Sequence, residues 1–336
     1  MRLPHGKIPI DILKEVVFTN LGAKRKEVAV GPSAGIDATV IDTESRSLIV
    51  SMDPITGALE TIGWLAVNVN ANDVATFGVE PAFLVTCLLL PEDSQRKTIE
   101  TICTQMNEAA KELNIAIVGG HCEITPGIAN PIVVGCIMGT TERGNYVTAA
   151  GAKPGDMIIL TKSAGIEGTA ILASDREEKL KKTMNSKMIQ KAKKFYTQIS
   201  VVKEAITAFK TGGVDAMHDP TEGGIIGGIN EMADASNLGV RIFEKKIPIQ
   251  RETAEICKFF KIDPLYLISS GALLIAAKPA DADKIVAQLK NKDIHATIIG
   301  QFLKNPKERF LVNEKGEQRK LSRPASDHLW LALKQE

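Results

Sequence analysis

A chain of 336 residues is about twice the usual size of one domain, so two domains with separate cores are expected. Hydrophobic residues at 44%, charged residues at 24% and aromatics at only 4% describe a globular protein with aliphatic cores and exclude disorder on a large scale. Lysine plus arginine number 41 against 40 acids, which leaves no net charge to hold a nucleic-acid backbone or an anionic membrane. The N-terminal MRLPHGKIPIDILKEVVF interrupts its apolar residues with charges and prolines, and no run of about 18 apolar residues occurs. A cytoplasmic protein with neither nucleic acid nor membrane as partner is therefore expected.

In chain order, VAVGPSAGIDATVI and SLIVSMD read as strand, loop, strand, turn and strand, with Asp37 and Asp53 at strand edges. Small and apolar residues at helical spacing predict a helix over about Thr61 to Phe77, stopped by Gly78 and carrying Asp73 in its C-terminal half. AFLVTCLLL reads as a buried strand, SQRKTIETICTQMNEAAKEL as an amphipathic helix, and IAIVGGHCEIT as a strand running into a glycine loop. NPIVVGCIMGTT is a further strand, and AAGAKPGD marks the exit from the first domain, with a boundary near residues 148 to 156. The second half opens with MIILTKSAGIEGTAILA as strand, loop and helix, followed by a lysine-rich helical stretch around Lys179 to Lys194 that reads as a solvated face. VRIFEKKIPI is strand-like, and LLIAAKPADADKIVAQLKNKDIHATIIGQFL reads as strand, helix and strand.

Five cysteines without a CxxC pair argue against a zinc knuckle and against a disulfide framework. Cys87, Cys103, Cys136 and Cys257 are expected as buried thiols, whereas Cys122 has polar neighbours. Three aspartates, Asp37, Asp53 and Asp73, recur where an element meets small residues; hard oxygen ligands of this kind suit Mg²⁺, although each taken singly also reads as a turn former or cap. His121 and Glu123 stand two apart in GGHCEIT, so an extended backbone points both to one face. There they bind a metal or relay a proton, or the histidine is satisfied by a backbone carbonyl beside a surface glutamate. In HDPTEGGIIGGINEMA a helix N-terminus follows a Gly-Gly pair, a place that attracts phosphate, while Asp219 or Thr221 as a plain cap is the alternative. The chain carries neither GxxxxGK[ST] nor a GxGxxG after a strand, so a nucleotide site must be built another way.

The ordered set GIDATVI, SMDPITG, IGWLAVNVNANDVATFGVEP, GGHCEIT, PGDMIILTKSAGIEGTAIL, HDPTEGGIIGGINEMA and IDPLYLISSGALL resembles the superfamily of aminoimidazole ribonucleotide (AIR) synthetase, thiamine-monophosphate kinase, selenophosphate synthetase and the hydrogenase-maturation protein HypE. DPTEGGI, NEMA and IDPLYL are most similar to the HypE branch, and the helix IGWLAVNVNANDVA to the thiamine-monophosphate kinases. The resemblance implies an α/β fold of two domains. A PurM-like N-terminal domain, residues 1–150, pairs its sheet with that of a second subunit to form a homodimeric β-barrel, and residues 151–336 form a C-terminal α/β domain. It implies ATP between the domains, with phosphates held through Mg²⁺ by Asp37, Asp53 and Asp73; beside it, nucleotide contacts are expected from Asn72, Asp219, Thr221, Gly223 and Gly224, and catalytic duty from His121 and Glu123. The implied reaction phosphorylates, or activates as a phosphate, an oxygen on a small molecule or protein group, with a maturation protein as a further partner. A nucleotide-binding module without turnover and a small-molecule kinase are the alternatives. Departures from the pattern are Ile36 beside Asp37 where the family has a second aspartate, Asn68 and His121 where HypE has histidine and aspartate, and LWLALKQE where HypE ends in a cysteine tail.

Overall fold

A computed structural model describes residues 8, 10–56, 59–323 and 326–335. Two sheets organise it. The first runs β1-β2-β3-β6-β4-β5 and contains β1 (Val28–Val30), β2 (Thr39–Asp42), β3 (Arg46–Ile55), β4 (Pro81–Leu90), β5 (Ala116–Ile124) and β6 (Ile132–Glu142). Its pairs are antiparallel except β4 with β5, which are parallel and joined through the helix Arg96–Glu112. The second sheet runs β13-β12-β9-β11-β7-β10-β8, with β7 (Met157–Thr161), β8 (Val214–His218), β9 (Gly239–Phe243), β10 (Leu274–Ala277), β11 (Ala296–Leu303), β12 (Arg309–Val312) and β13 (Gln318–Lys320).

The helix expected over Thr61 to Phe77 is Ile62–Ala75, and every residue of it except Trp64 is buried. Its apolar surface on all sides fits this position. One side meets the first sheet, where Ile62, Ala66, Val67 and Val74 share a core with Ile49, Leu84, Val133 and Ile137. The other carries Leu65 and Val69 against Ile166, Phe195 and Ile199 of the second half. The helix Arg96–Glu112 crosses it closely because position 63 is glycine; a Cβ there would stand 2.3 Å from the Ile102 carbonyl oxygen.

Among the described residues, helices cover only one face of the first sheet. Register places Val50, Met138 and Phe83 in one row of the other face and Met52, Cys136 and Val85 in the next. These side chains are exposed or half-buried, with Met52 at 64% and Phe83 at 45%. All nine residues of the edge strand β5 are exposed.

Three expectations change. GGHCEIT is not a glycine loop but part of β5, because Gly120 lets the backbone pass where a Cβ would lie 2.0 Å from the Thr86 carbonyl. The lysine-rich stretch divides into Glu177–Leu180 and Ser186–Lys193. Of the cysteines expected inside, only Cys257 is buried; Cys87 and Cys136 lie half-buried on the open sheet face, and Cys103 is exposed on its helix.

Candidate functional site

Four aspartates from four places converge where the first sheet meets the second half. Asp53 lies in β3 on the helix-covered face, and its backbone N–H donates to Asn70 Oδ1 (2.9 Å) while its carbonyl accepts from Asn70 Nδ2 (3.2 Å). Gly135 in the facing strand makes room for this clamp, since a Cβ would stand 2.5 Å from Asn70 Nδ2. Asp73, one helical turn beyond Asn70, accepts from the Ser51 hydroxyl at 2.6 Å, and that hydroxyl is 2.9 Å from the Asp37 carbonyl. Asp37 comes in on the loop before β2, which lies so close to the helix Gly224–Ala235 that a Cβ on Gly35, held at φ +74°, would meet the Glu231 carbonyl at 3.0 Å. Asp219 follows the end of β8.

The electrostatics follow from this crowding. Burial pushes the Asp73 carboxyl well above the ordinary carboxylate range, the charges of Asp53, Asp219 and Asp37 push it further, and the Ser51 hydroxyl only partly opposes them. Two buried carboxylates, Asp73 and Asp219, and two half-buried ones, Asp37 and Asp53, concentrate negative charge where water screens it little.

His218, which sequence reasoning passed over, pairs with one of them. Its buried ring donates through Nδ1 to Asp37 and through Nε2 to Glu231, each at 2.9 Å. Burial opposes the charge on this imidazole, yet Asp37 and then Glu231 outweigh it and hold the pKa well above the usual histidine value. One ligand atom each of Asp37, His218 and Asp219 lies within 4.8 Å of the others, so these three could hold a metal ion. A cavity of about 570 Å³ opens beside them, lined among others by Gly223, Gly227, Asp327 and Trp330. The available signal was adjacency, since His218 precedes Asp219 directly and Glu231 belongs to NEMA, but its partner Asp37 is 181 residues away.

The other expected site residues fall elsewhere. Asn72 is fully buried and its amide joins the two halves, donating to the Ile199 carbonyl (2.9 Å) and accepting from Val201 N–H (2.8 Å). Thr221 offers its carbonyl to Gly224 N–H and Ser269 N–H. Gly224, at φ +64°, serves a close approach of backbone, with an added Cβ 2.6 Å from the Leu265 carbonyl. The Gly223 N–H, expected to face a phosphate, donates to Asp327 of the same chain at 2.6 Å. Burial lifts the Asp327 carboxyl to about 6 although Leu329, Gly223 and Ile268 N–H groups favour its charge.

His121 and Glu123 do share a face, with Nε2 3.0 Å from Oε2 and Thr125 donating to the glutamate. That face is the open one. His121 stands level with Cys87, Val134 and Pro54, whereas Asp53 points to the helices, three strands or roughly 14 Å across the sheet. Within one chain the pair and the aspartates therefore occupy opposite faces. Cys122 points to the helix side, where its charge helps raise the thiol of Cys103 after burial has done so.

The AIR synthase related protein N-terminal domain model matches residues 35–141 and the C-terminal domain model residues 153–313. A protein of Methanocaldococcus jannaschii described as a hydrogenase expression/formation protein is 31% identical over 90% of this chain and 90% of its own. The chain belongs to the AIR synthase related family. Within this family it stands close to HypE: the carbamoyl dehydratase HypE of Rhizobium leguminosarum bv. viciae is 28% identical over 80% of this chain and 75% of its own. Among solved structures, a HypE–HypF complex superposes with a TM-score of 0.78 at 22% identity, covering 93% of this chain and 99% of that one. HypE in complex with ATP gives 0.72 at 21% identity, with 97% and 98% covered. A ThiL complexed with AMPPCP and TMP gives 0.74 at 18%, with 96% and 99% covered. These structures share the two-sheet α/β fold of the AIR synthase related chain.

Proposed function

We propose that the chain is an ATP- and Mg²⁺-dependent HypE-like protein that phosphorylates, or activates as a phosphate, an oxygen on a small molecule or protein group. The observation that carries this reading is the convergence of Asp37, Asp53, Asp73 and Asp219, whose mutual repulsion calls for a cation. Hard carboxylate oxygens gathered in this way fit Mg²⁺, and buried Asp73 with half-buried Asp37 and Asp53 are the residues that would hold it. Bound there, Mg²⁺ would neutralise nucleotide phosphate charge. The chain's own part is positional: Asn70 fixes the Asp53 backbone, Ser51 orients Asp73, and helix Ile62–Ala75 keeps water from the cluster's inner side. ATP in a HypE structure and AMPPCP in a ThiL structure support the nucleotide.

We assign nucleotide holding to residues 1–150 with cover from 151–336, and a homodimer closed over the open face of the first sheet. Exposed Phe83 and Met52 and the bare edge of β5 support pairing there. Only across such an interface would His121 and Glu123 act on a nucleotide. The HypE–HypF complex supports a maturation partner as the source of the acceptor, with the cytoplasm as the working place. Phosphate release from Mg²⁺·ATP, measured with candidate protein and small-molecule acceptors, tests the reading. Release that needs an acceptor and falls in Asp53→Asn supports it, whereas equal release from wild type and Asp53→Asn refutes it.

A further inference from the structure

We propose that Lys162 is a positioning residue for the aspartate cluster, bracing the segment 198–201 through which Asn72 holds Asp73 against the half of the chain that carries Asp219. The need for a brace is electrostatic. Asp73 and Asp219 come from different halves, and the Asp219 charge adds to the pressure on the Asp73 carboxyl. Groups other than the carboxylates must therefore keep the two together. Asn72, next to Asp73 on the helix Ile62–Ala75, supplies the first link: its amide donates to the Ile199 carbonyl (2.9 Å) and accepts from the Val201 N–H (2.8 Å).

Lys162 supplies the second link from the opposite side. Its ammonium donates to the carbonyls of Gln198 (2.9 Å) and Ser200 (2.7 Å) and pairs with Glu204 at 2.6 Å, which uses all three of its donors. Along 198–201 the bonds thus alternate between Lys162 and Asn72. The Lys162 and Glu204 side chains are only 16% and 6% exposed. Burial pulls the Lys162 pKa below the usual lysine value and Glu204 opposes it. The Lys162 backbone is held at φ +53°, a conformation in which residues with a Cβ are uncommon. Apolar side chains would fill the same space without a desolvation cost, so packing alone does not account for this pair. Placement does. Leu160 and His218 both pair with Leu274, so Lys162 and Asp219 leave the second sheet at the same end, two residues and one residue past that row, on strands roughly 10 Å apart. Lys162 ties the helix that carries Asp73 to the sheet end that presents Asp219.

This role rests on the cation reading of the cluster, and it is tested with Mn²⁺ alone, which suits the same oxygen ligands as Mg²⁺ and whose free concentration is read by electron paramagnetic resonance. Lys162→Met is combined with Glu204→Leu, so that no buried charge is left unpaired while two carbonyls lose their donor. The expected result is Mn²⁺ affinity about 10-fold below wild type in this double variant and in Asn72→Ala. Combining all three changes brings no further loss, because they act through one segment. Ile242→Val, which thins a core cluster that does not include residues 198–201, keeps wild-type affinity. Undiminished affinity in the double variant, an equal loss in Ile242→Val, or losses that add in the combination overturn the brace alone. A wild type that binds no Mn²⁺ refutes the cation reading and removes this role with it. Should circular dichroism show the double variant unfolded, amide exchange in the wild type decides. Coupling is reciprocal, so Mg²⁺ slows exchange of the Val201 N–H where brace and cluster are linked, and unchanged exchange overturns the link.

Discussion

Asp327 shows how a single buried carboxyl shapes both the site and the pH response. It takes the Gly223 N–H at the start of helix Gly224–Ala235, where sequence alone places a phosphate. Burial lifts it to about 6, and burial likewise lifts Glu167 to about 7 despite its hydrogen bond to Ser270. A folded-state pKa above the unfolded one means that the native chain binds more protons between the two values, so stability is full below about pH 4 and is lost as pH rises towards 7. The slope for each group is at most about 1.4 kcal/mol per pH unit. Asp327→Asn, which keeps an acceptor for Gly223, is expected to flatten the fall in urea midpoint between pH 4.5 and 7; an unchanged slope would show that Asp327 is not its source. Asp37, Asp53 and Asp73 were legible because each sits in a motif, whereas His218 and Asp327 were not, since their partners lie 181 and 104 residues away. Cys122 faces the helices and His121 the open face, so Cys122→Ser should leave ATP binding and turnover near wild type while His121→Ala lowers turnover. Rapid, ATP-protected alkylation of Cys122 would reverse that assignment.

Elements were legible where periodicity was strong. The crossover Arg96–Glu112 and the strand–helix–strand from Leu274 to Leu303 follow their patterns closely, whereas the helix Ile62–Ala75, apolar on all sides, was legible from its unbroken run of small and apolar residues before Gly78. β5 misled because glycine pairs usually signal loops, while here a glycine admits a neighbouring strand's carbonyl. The same logic holds at Gly63, where contact with Ile102 sets the distance between two helices. Gly63→Ala gains helix propensity but forces the helices apart, and a net destabilisation of about 1–3 kcal/mol is expected by chemical denaturation. A neutral or stabilising effect would mean that the crossing is softer than the geometry indicates.

At the scale of the whole molecule, the described residues leave one face of the first sheet and the edge of β5 uncovered, which is where the proposed second subunit would lie. A homodimer closed on this face predicts a dimeric mass by light scattering and a monomer for Phe83→Glu, whereas a monomeric wild type at micromolar concentration would remove the interface. The two-domain α/β class was legible from length and motif order, but the placement of His121 and Glu123 on the face opposite Asp53 was not, because strand order 3-6-4-5 cannot be read from alternation. The central claim is that the aspartate cluster binds nucleotide through a divalent cation, and the change in melting temperature caused by Mg²⁺·ATP in wild type, Asp73→Asn and Asp42→Asn tests it most directly. Asp42 lies outside the cluster, bonded to Ser47 and Arg143. At about 100 times Kd the ligand should stabilise the wild type by about 2.7 kcal/mol. Asp73→Asn, which removes a repelled buried charge, should melt no lower than wild type without ligand and gain little from it, while Asp42→Asn responds as wild type does. Equal ligand-induced shifts in all three proteins would contradict the account.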